Sequence, residues 1–395
     1  MSSSERQVAF LLGLPFHMIT MDETIEDAVA AIAARNPSYY ITANVDFIAQ
    51  AHESEPLKDI LFHADRVVCD GMPLVWLSRY FHPVLPERVA GSDMVFRLFS
   101  EANERAWKVF FLGSDATTLS QTKSILAQQY PKMEVVGTFS PPFGPVDSWP
   151  NEAILADIKG SQPDLLLVAV GCPKQEYWIS KYYKEAAVPL SIGIGASLDF
   201  ICGTQVRAPV WIQKIGMEWC WRMLSDPKRL VKRYAKDLYY LVVLANLQRR
   251  ITSQATSEKD QSAAADRESA QDAGTATVDI RNQDVQWISW SGEAERSVLE
   301  TLERPADTTK PVFINLSAVS FMDSSAIGLL AKFARDARKA KVAFGIVQPA
   351  DRVVQIIEAM HLSSQFPVYA DRNAALEVLH APDVSMTNNQ TEGTA

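Results

Sequence analysis

The sequence predicts an α/β protein: a parallel sheet covered by helices on both faces, followed by a second, smaller α/β unit. Three observations carry that prediction. Near-continuous apolar runs alternate with amphipathic stretches through the N-terminal half, the pattern of strands buried on both faces and joined by crossover helices. Several of these runs end directly in glycine turns. Then the composition breaks at 251–277, where eighteen of 27 residues are Ala, Ser, Thr or Gln and Ile251 is the only large apolar side chain. Such a segment buries too little apolar surface to offset its ordering entropy, so a flexible linker is expected there. A chain of 395 residues, at roughly 100–200 residues per domain, fits two or three domains.

The first apolar run, Val8 to Pro15, is short, ends in proline and lacks a small-residue cleavage site, so it is expected to be a first strand rather than a signal peptide. Strands are then expected at Tyr39–Ala43, Arg66–Cys69, Lys108–Leu112, Glu134–Val136, Leu165–Val170 and Leu190–Ile194. Helices between them include Ser92–Arg105, Thr117–Gln129 and Lys174–Glu185. No run reaches the ~20 apolar residues of a membrane span. The four cysteines, at 69, 172, 202 and 220, form no Cys-x-x-Cys pair and are expected to be free thiols of a reducing compartment.

Ligands of such sheets bind beyond the carboxyl ends of the strands. That edge carries Asn44, Asp46, Asp70, Gly113, Gly171 to Glu176, Gly193 and Gly195. Glycine turns that feed helix N-termini present free backbone N–H groups to an anion, so a phosphate-bearing ligand is expected. Gly193 and Gly195 do not complete a dinucleotide fingerprint, because the third glycine position holds Leu198. There is no Asp-x-Asp pair and no His-x-x-x-His pair, which speaks against a metal-diphosphate motif and a zinc site. Asp70 follows an apolar strand and precedes a glycine. It is a candidate general base if burial lifts its pKa. Its alternative role is to cap the helix that starts near Met72.

Residues 207–250 hold ten Lys/Arg against three acids, a local net of +7 in a chain of net −9. Trp211, Trp219, Trp221, Tyr234, Tyr239 and Tyr240 are interleaved. This composition suits an anionic membrane surface. A solvated helix face and a nucleic-acid patch are the alternatives. The acidic average and the lack of any recognised motif argue against nucleic acid.

Several stretches together resemble the WecG/TagA/CpsF glycosyltransferases (glycosyltransferase family 26). They are Thr42-Ala43-Asn44-Val45-Asp46, Cys69-Asp70-Gly71, Pro86 to Asp93, Gly171-Cys172-Pro173-Lys174-Gln175-Glu176, Arg207-Ala208-Pro209, Glu218-Trp219 to Arg222, and Pro227 to Leu230. The resemblance covers about residues 8–245 and implies a Rossmann-like parallel-sheet domain with a basic helical appendage. It implies inverting transfer of a sugar from a UDP-sugar donor, with no metal and no cofactor, to a polyprenyl-diphosphate-linked sugar acceptor. It places the protein in the cytoplasm, peripheral at the inner face of the membrane, in exopolysaccharide or cell-wall glycan synthesis. Asp70 matches the family's proposed base. Thr42, Asn44, Arg88 and Gln175 match its pocket. Arg222 and Arg229 match arginines proposed to fold over the site and meet diphosphate. Family enzymes can self-associate, so a homo-oligomer is among the expectations.

Beyond the linker, strands are expected at Val285–Trp290, Pro311–Leu316 and Val342–Val347, and a helix at Val353–Met360. The junction Phe321-Met322-Asp323-Ser324-Ser325 resembles that of a STAS domain, the fold of anti-sigma factor antagonists. Ser325 matches the family's phosphorylation site, and a phosphate at a helix start can switch docking. Ala326 and Asn315 depart from the residues frequent there. Ser325 as a plain first-turn residue, with a constitutive protein-docking module, is the alternative. The expected partition is therefore 1–206 glycosyltransferase core, 207–250 appendage, 251–277 linker, 278–382 STAS-like domain and 383–395 polar tail. A non-catalytic nucleotide-sugar sensor that signals through the STAS domain is the alternative function. A nucleotide-dependent oxidoreductase is weakened by the failed glycine fingerprint.

Overall fold

The computed structural model describes residues 8–81, 84–205, 207–214, 216–265, 275–279, 285–294, 309–322, 324–359 and 362–380; for some of these, among them Arg229, 251–265, 275–279 and Ser325, only the backbone is described. The chain divides into two compact units between Arg249 and Arg250.

The first unit runs β1 (Val8–Leu11), β2 (Leu14–His17), α1 (Met21–Ala34), β3 (Ser38–Ala43), α2 (Val45–Glu53), α3 (Glu55–His63), β4 (Arg66–Cys69), α4 (Met72–Ser78), α5 (Gly91–Arg105), β5 (Lys108–Gly113) and α6 (Ala116–Gln129). It continues with β6 (Glu134–Phe139), α7 (Asn151–Ser161), β7 (Leu165–Ala169), α8 (Lys174–Ala186), β8 (Leu190–Gly193), α9 (Ser197–Ile201), α10 (Val210–Lys214), α11 (Glu218–Ser225) and α12 (Pro227–Ala265), whose residues beyond Arg249 fall in the second unit. Six strands form one sheet in the order β4-β3-β8-β7-β5-β6, and every adjacent pair is parallel. Alternate residues of one strand enter opposite cores. Leu166 and Val168 of β7 join one apolar cluster and Leu165 and Leu167 the other. Burial on both faces explains why these strands read as unbroken apolar runs.

The single strand expected at Val8–Pro15 is instead a hairpin. β1 and β2 pair antiparallel with Leu11 opposite Leu14. The two-residue turn places Leu12 at φ 54° and Gly13 at φ 77°. A left-handed leucine is sterically unfavourable, and polar contacts hold it here. The Leu12 N–H donates to Gln248 Oε1 at 2.7 Å, and the Leu12 carbonyl lies 2.8 Å from His52 Nε2. The turn carries no Asn-Gly or Asp-Gly signal, which is why the hairpin is not visible in the sequence.

α12 carries the appendage back over the first unit. Leu244 is buried in its core, and Tyr240 and Leu241 pack against it. Lys236 Nζ reaches Glu53 at 2.5 Å, and the Tyr240 hydroxyl donates to Glu53 at 2.9 Å. The helix also enters the segment expected as a linker. α12 continues to Ala265, so 251–265 are helical. Its Ala, Gln, Glu and Lys residues are good helix formers, and extending an existing helix avoids the nucleation cost. β9 (Thr275–Asp279) takes the last residues of that segment. Residues 266–274 lie outside the described residues.

The second unit contains β9, β10 (Gln286–Ala294), β11 (Val312–Met322), α13 (Ser324–Ala340), β12 (Phe344–Val347), α14 (Asp351–Ala359), β13 (Val368–Tyr369) and α15 (Arg372–His380). Its sheet order is β13-β12-β11-β10-β9. Among the described residues of this sheet, β9–β10 is the antiparallel pair and the others are parallel. Phe321 and Met322 are the end of β11 and pair with β10, so the strand expected at Pro311–Leu316 runs on to Met322.

Candidate active site

The carboxyl ends of β4, β3, β8 and β7 supply the site. Asp70 follows the last residue of β4, and its own N–H donates to the Ala43 carbonyl at the end of β3 at 2.9 Å. Its carboxylate does not cap α4. The N-cap there is Gly71, which makes no side-chain bond. Asp70 Oδ2 instead accepts the Gly91 N–H at 3.0 Å, at the start of α5. Gly91 permits this close approach: a Cβ there would stand 3.0 Å from Thr42 Oγ1 and 3.4 Å from Asp70 Oδ2. Thr42 and Asp70 therefore both face Gly91. The Val89 N–H donates to the Cys69 carbonyl at 2.8 Å, which anchors the loop carrying Arg88 beside Asp70.

Burial pushes the Asp70 carboxyl up to about 6, against the opposing pull of Arg88, the Gly91 N–H and Arg222; the charge of Glu218 pushes in the same direction as burial. A carboxylate near neutrality is suited to accepting a proton.

Asn44 is the N-cap of α2. Its Oδ1 accepts the Phe47 N–H at 3.0 Å. Gln175 is buried and spans two loops. Its Oε1 accepts the Gly195 N–H at 3.0 Å, and its Nε2 donates to Glu176 Oε1 at 2.8 Å. Both ends of the Gln175 amide are thus engaged within the protein. Gly193 makes room for it, because a Cβ there would come within 2.4 Å of Gln175 Nε2. Burial pushes the Glu176 carboxyl up to about 7. Gly113, at φ 117°, lies against Ala169 so closely that a Cβ would sit 2.6 Å from its carbonyl. Gly171 and Gly195 also have positive φ.

An arginine cluster adjoins Asp70. Arg88 Nη2 lies 3.3 Å and Arg222 Nη2 3.1 Å from the two oxygens of Glu218. Arg207 Nη1 reaches Asp93 at 2.5 Å, and its Nε lies 3.7 Å from Glu218. Arg222 also stands over the Phe200 ring at 5.6 Å. Sequence reasoning quoted Asp93, Arg207 and Glu218 within longer stretches without giving them a role. Only the fold brings them together. Next to α2, Arg233 pairs with Asp46 at 3.5 Å. Burial, joined by the Asp46 charge and opposed by Arg233, pushes Asp237 up to about 7.

Two expected residues are placed only in part. Arg229 lies on α12 and Ser325 in the first turn of α13; the side chains of both, and Asp323, lie outside the described residues. Among the described residues, no group of three or more His, Cys, Asp or Glu side chains converges to hold a metal ion, and no helix is long and apolar enough to cross a membrane.

The model of the glycosyl transferase WecG/TagA/CpsF family matches residues 9–255, and that of the STAS domain matches residues 245–375. An N-acetylglucosaminyldiphosphoundecaprenol N-acetyl-beta-D-mannosaminyltransferase of Staphylococcus aureus (strain MW2) is 28% identical over 243 residues, 61% of this chain and 93% of that protein. A protein of the same name from Bacillus spizizenii is 28% identical over 207 residues, 52% of this chain and 79% of that one. A solved structure of the anti-sigma factor antagonist SpoIIAA in its unphosphorylated form covers 27% of this chain and 99% of its own, with 18% identity and a TM-score of 0.24. The chain belongs to the WecG/TagA/CpsF glycosyltransferase family and carries a C-terminal STAS domain.

Proposed function

We propose that this glycosyltransferase moves a sugar, of the N-acetylmannosamine type or another hexose, from a UDP-sugar to a polyprenyl-diphosphate-linked sugar, with inversion. The reading rests chiefly on one observation: a carboxylate at the mouth of the sheet, lifted to about 6 by burial, with arginines beside it. The names of the relatives support the acceptor class.

Asp70 removes the proton of the acceptor hydroxyl. That oxygen attacks the anomeric carbon from the face opposite the leaving group, the bond to the diphosphate oxygen breaks, and nucleoside diphosphate departs. Arg88 and Arg222 meet its developing charge, together with N–H groups of the glycine turns. Thr42 and Asn44 line the pocket that Asp70 faces. Gln175 fixes the Gly193–Gly195 turn. Residues 207–250 hold the protein at an anionic membrane surface, with Trp211 and Tyr239 among the exposed apolar side chains of that segment. The STAS domain serves docking or regulation, with Ser325 as its phosphorylation site.

The test is incubation of the full chain with labelled UDP-sugars and a polyprenyl-diphosphate-linked N-acetylglucosamine. An extended lipid product with release of UDP supports the reading. Binding of UDP-sugar with no transfer to any such acceptor favours a sensor instead.

A further inference from the structure

We propose that Glu218 is an internal placeholder: in the free protein its carboxylate occupies the seat that the phosphate groups of a ligand take, and the ligand must displace it. The proposal rests on the reading of this edge as a phosphate-handling site.

Glu218 opens α11, and its side chain is about 10% exposed. Three guanidinium groups converge on its two oxygens. Oε2 receives Arg88 at 3.3 Å, while Oε1 receives Arg222 at 3.1 Å and Arg207 at 3.7 Å. Each guanidinium carries five N–H donors in a fixed fork. Glu218 and Asp93, which takes Arg207 Nη1 at 2.5 Å and lies 3.8 Å from Arg88, do not fill three forks, and the shortfall is visible at Arg207: Nε and Nη2 are buried with no hydrogen-bond partner among the described residues. Buried donors without acceptors are costly. A diphosphate offers more oxygens and more charge than a carboxylate, and arginine binds phosphate through paired N–H groups. The cluster is therefore built for a larger anion than the carboxylates it holds. Glu218 keeps the three arginines assembled when that anion is absent, and it sets a threshold that weakly charged anions do not pass. Arg207 becomes a further phosphate-binding residue once the carboxylate leaves.

The experiment is titration of the full chain with inorganic pyrophosphate by calorimetry. Glu218→Gln keeps the shape and removes the competing charge, so pyrophosphate is expected to bind about tenfold tighter than to the wild type. Glu218→Asp, which withdraws the carboxylate by one methylene, is expected to shift affinity in the same direction by less, and it serves if the glutamine variant does not fold. Adding Arg207→Ala to Glu218→Gln is expected to abolish the gain. Equal or weaker binding by both Glu218 variants would overturn the placeholder and leave Glu218 a structural clamp. Sugar transfer by the wild type, measured beside this titration, separates the two claims. Transfer with unchanged pyrophosphate affinity in the variants sinks the placeholder alone. Tighter pyrophosphate binding with no transfer sinks the functional reading and keeps the placeholder.

Discussion

Asp70 gains its properties from neighbours that are far apart in the chain. Burial raises its pKa, while Arg88, the Gly91 N–H and Arg222 limit the rise. Its position after an apolar strand was legible in the sequence. Its freedom from the cap of α4 was not, because that depends on the loop carrying Gly91 returning to β4. Glu218 was less legible still, since its bond to Arg88 joins residues 130 positions apart. Gly91 gives a direct check of the close packing. In Gly91→Ala the new methyl crowds Thr42 Oγ1 at 3.0 Å. Thr42 must give by a few tenths of an ångström, and since displacing reacting groups by about an ångström costs up to about 10²-fold in rate, a loss of less than about 10²-fold is expected. Transfer kinetics should show that loss with a melting temperature close to wild type. A normal rate would mean that Thr42 and Asp70 need not sit so close.

At the scale of elements, the strands and helices of the sheet were readable because burial on both faces imposes continuous apolar runs. The hairpin was not, because its left-handed Leu12 is held by Gln248 from the far end of the unit. Gln248→Ala leaves a buried N–H without its acceptor and is expected to cost about 1–3 kcal/mol of stability in denaturant titration. Gly193→Ala is expected to destabilise by about 1–3 kcal/mol, the range for overpacking, because the Gln175 amide would lie 2.4 Å from the added carbon. An unchanged unfolding midpoint in either variant would contradict the contact it removes. The extension of α12 to Ala265 marks a limit of compositional reasoning: a segment too polar for a core can still continue a helix that is already started.

At the scale of the whole molecule, charge is divided unevenly. The chain is net −9, yet residues 207–250 carry +7. Deleting residues 218–250 is expected to loosen binding to anionic liposomes in a sedimentation assay. Binding by the intact protein should fall as salt rises through the range where charges are screened, since the Debye length drops from about 10 Å at 0.1 M to about 3 Å at 1 M. Equal retention by the truncated protein would remove this segment from membrane attachment. The central claim is that Asp70 is the base, and the pH dependence of kcat/KM for wild type and Asp70→Asn tests it most directly. A protonated Asp70 cannot accept the acceptor's proton, so the wild-type rate should fall about tenfold per pH unit below about 6. Asp70→Asn should lower the plateau by about 10²–10⁴-fold and abolish that acidic limb; a variant that keeps the wild-type rate, or a slow variant that keeps the same limb, would contradict the account.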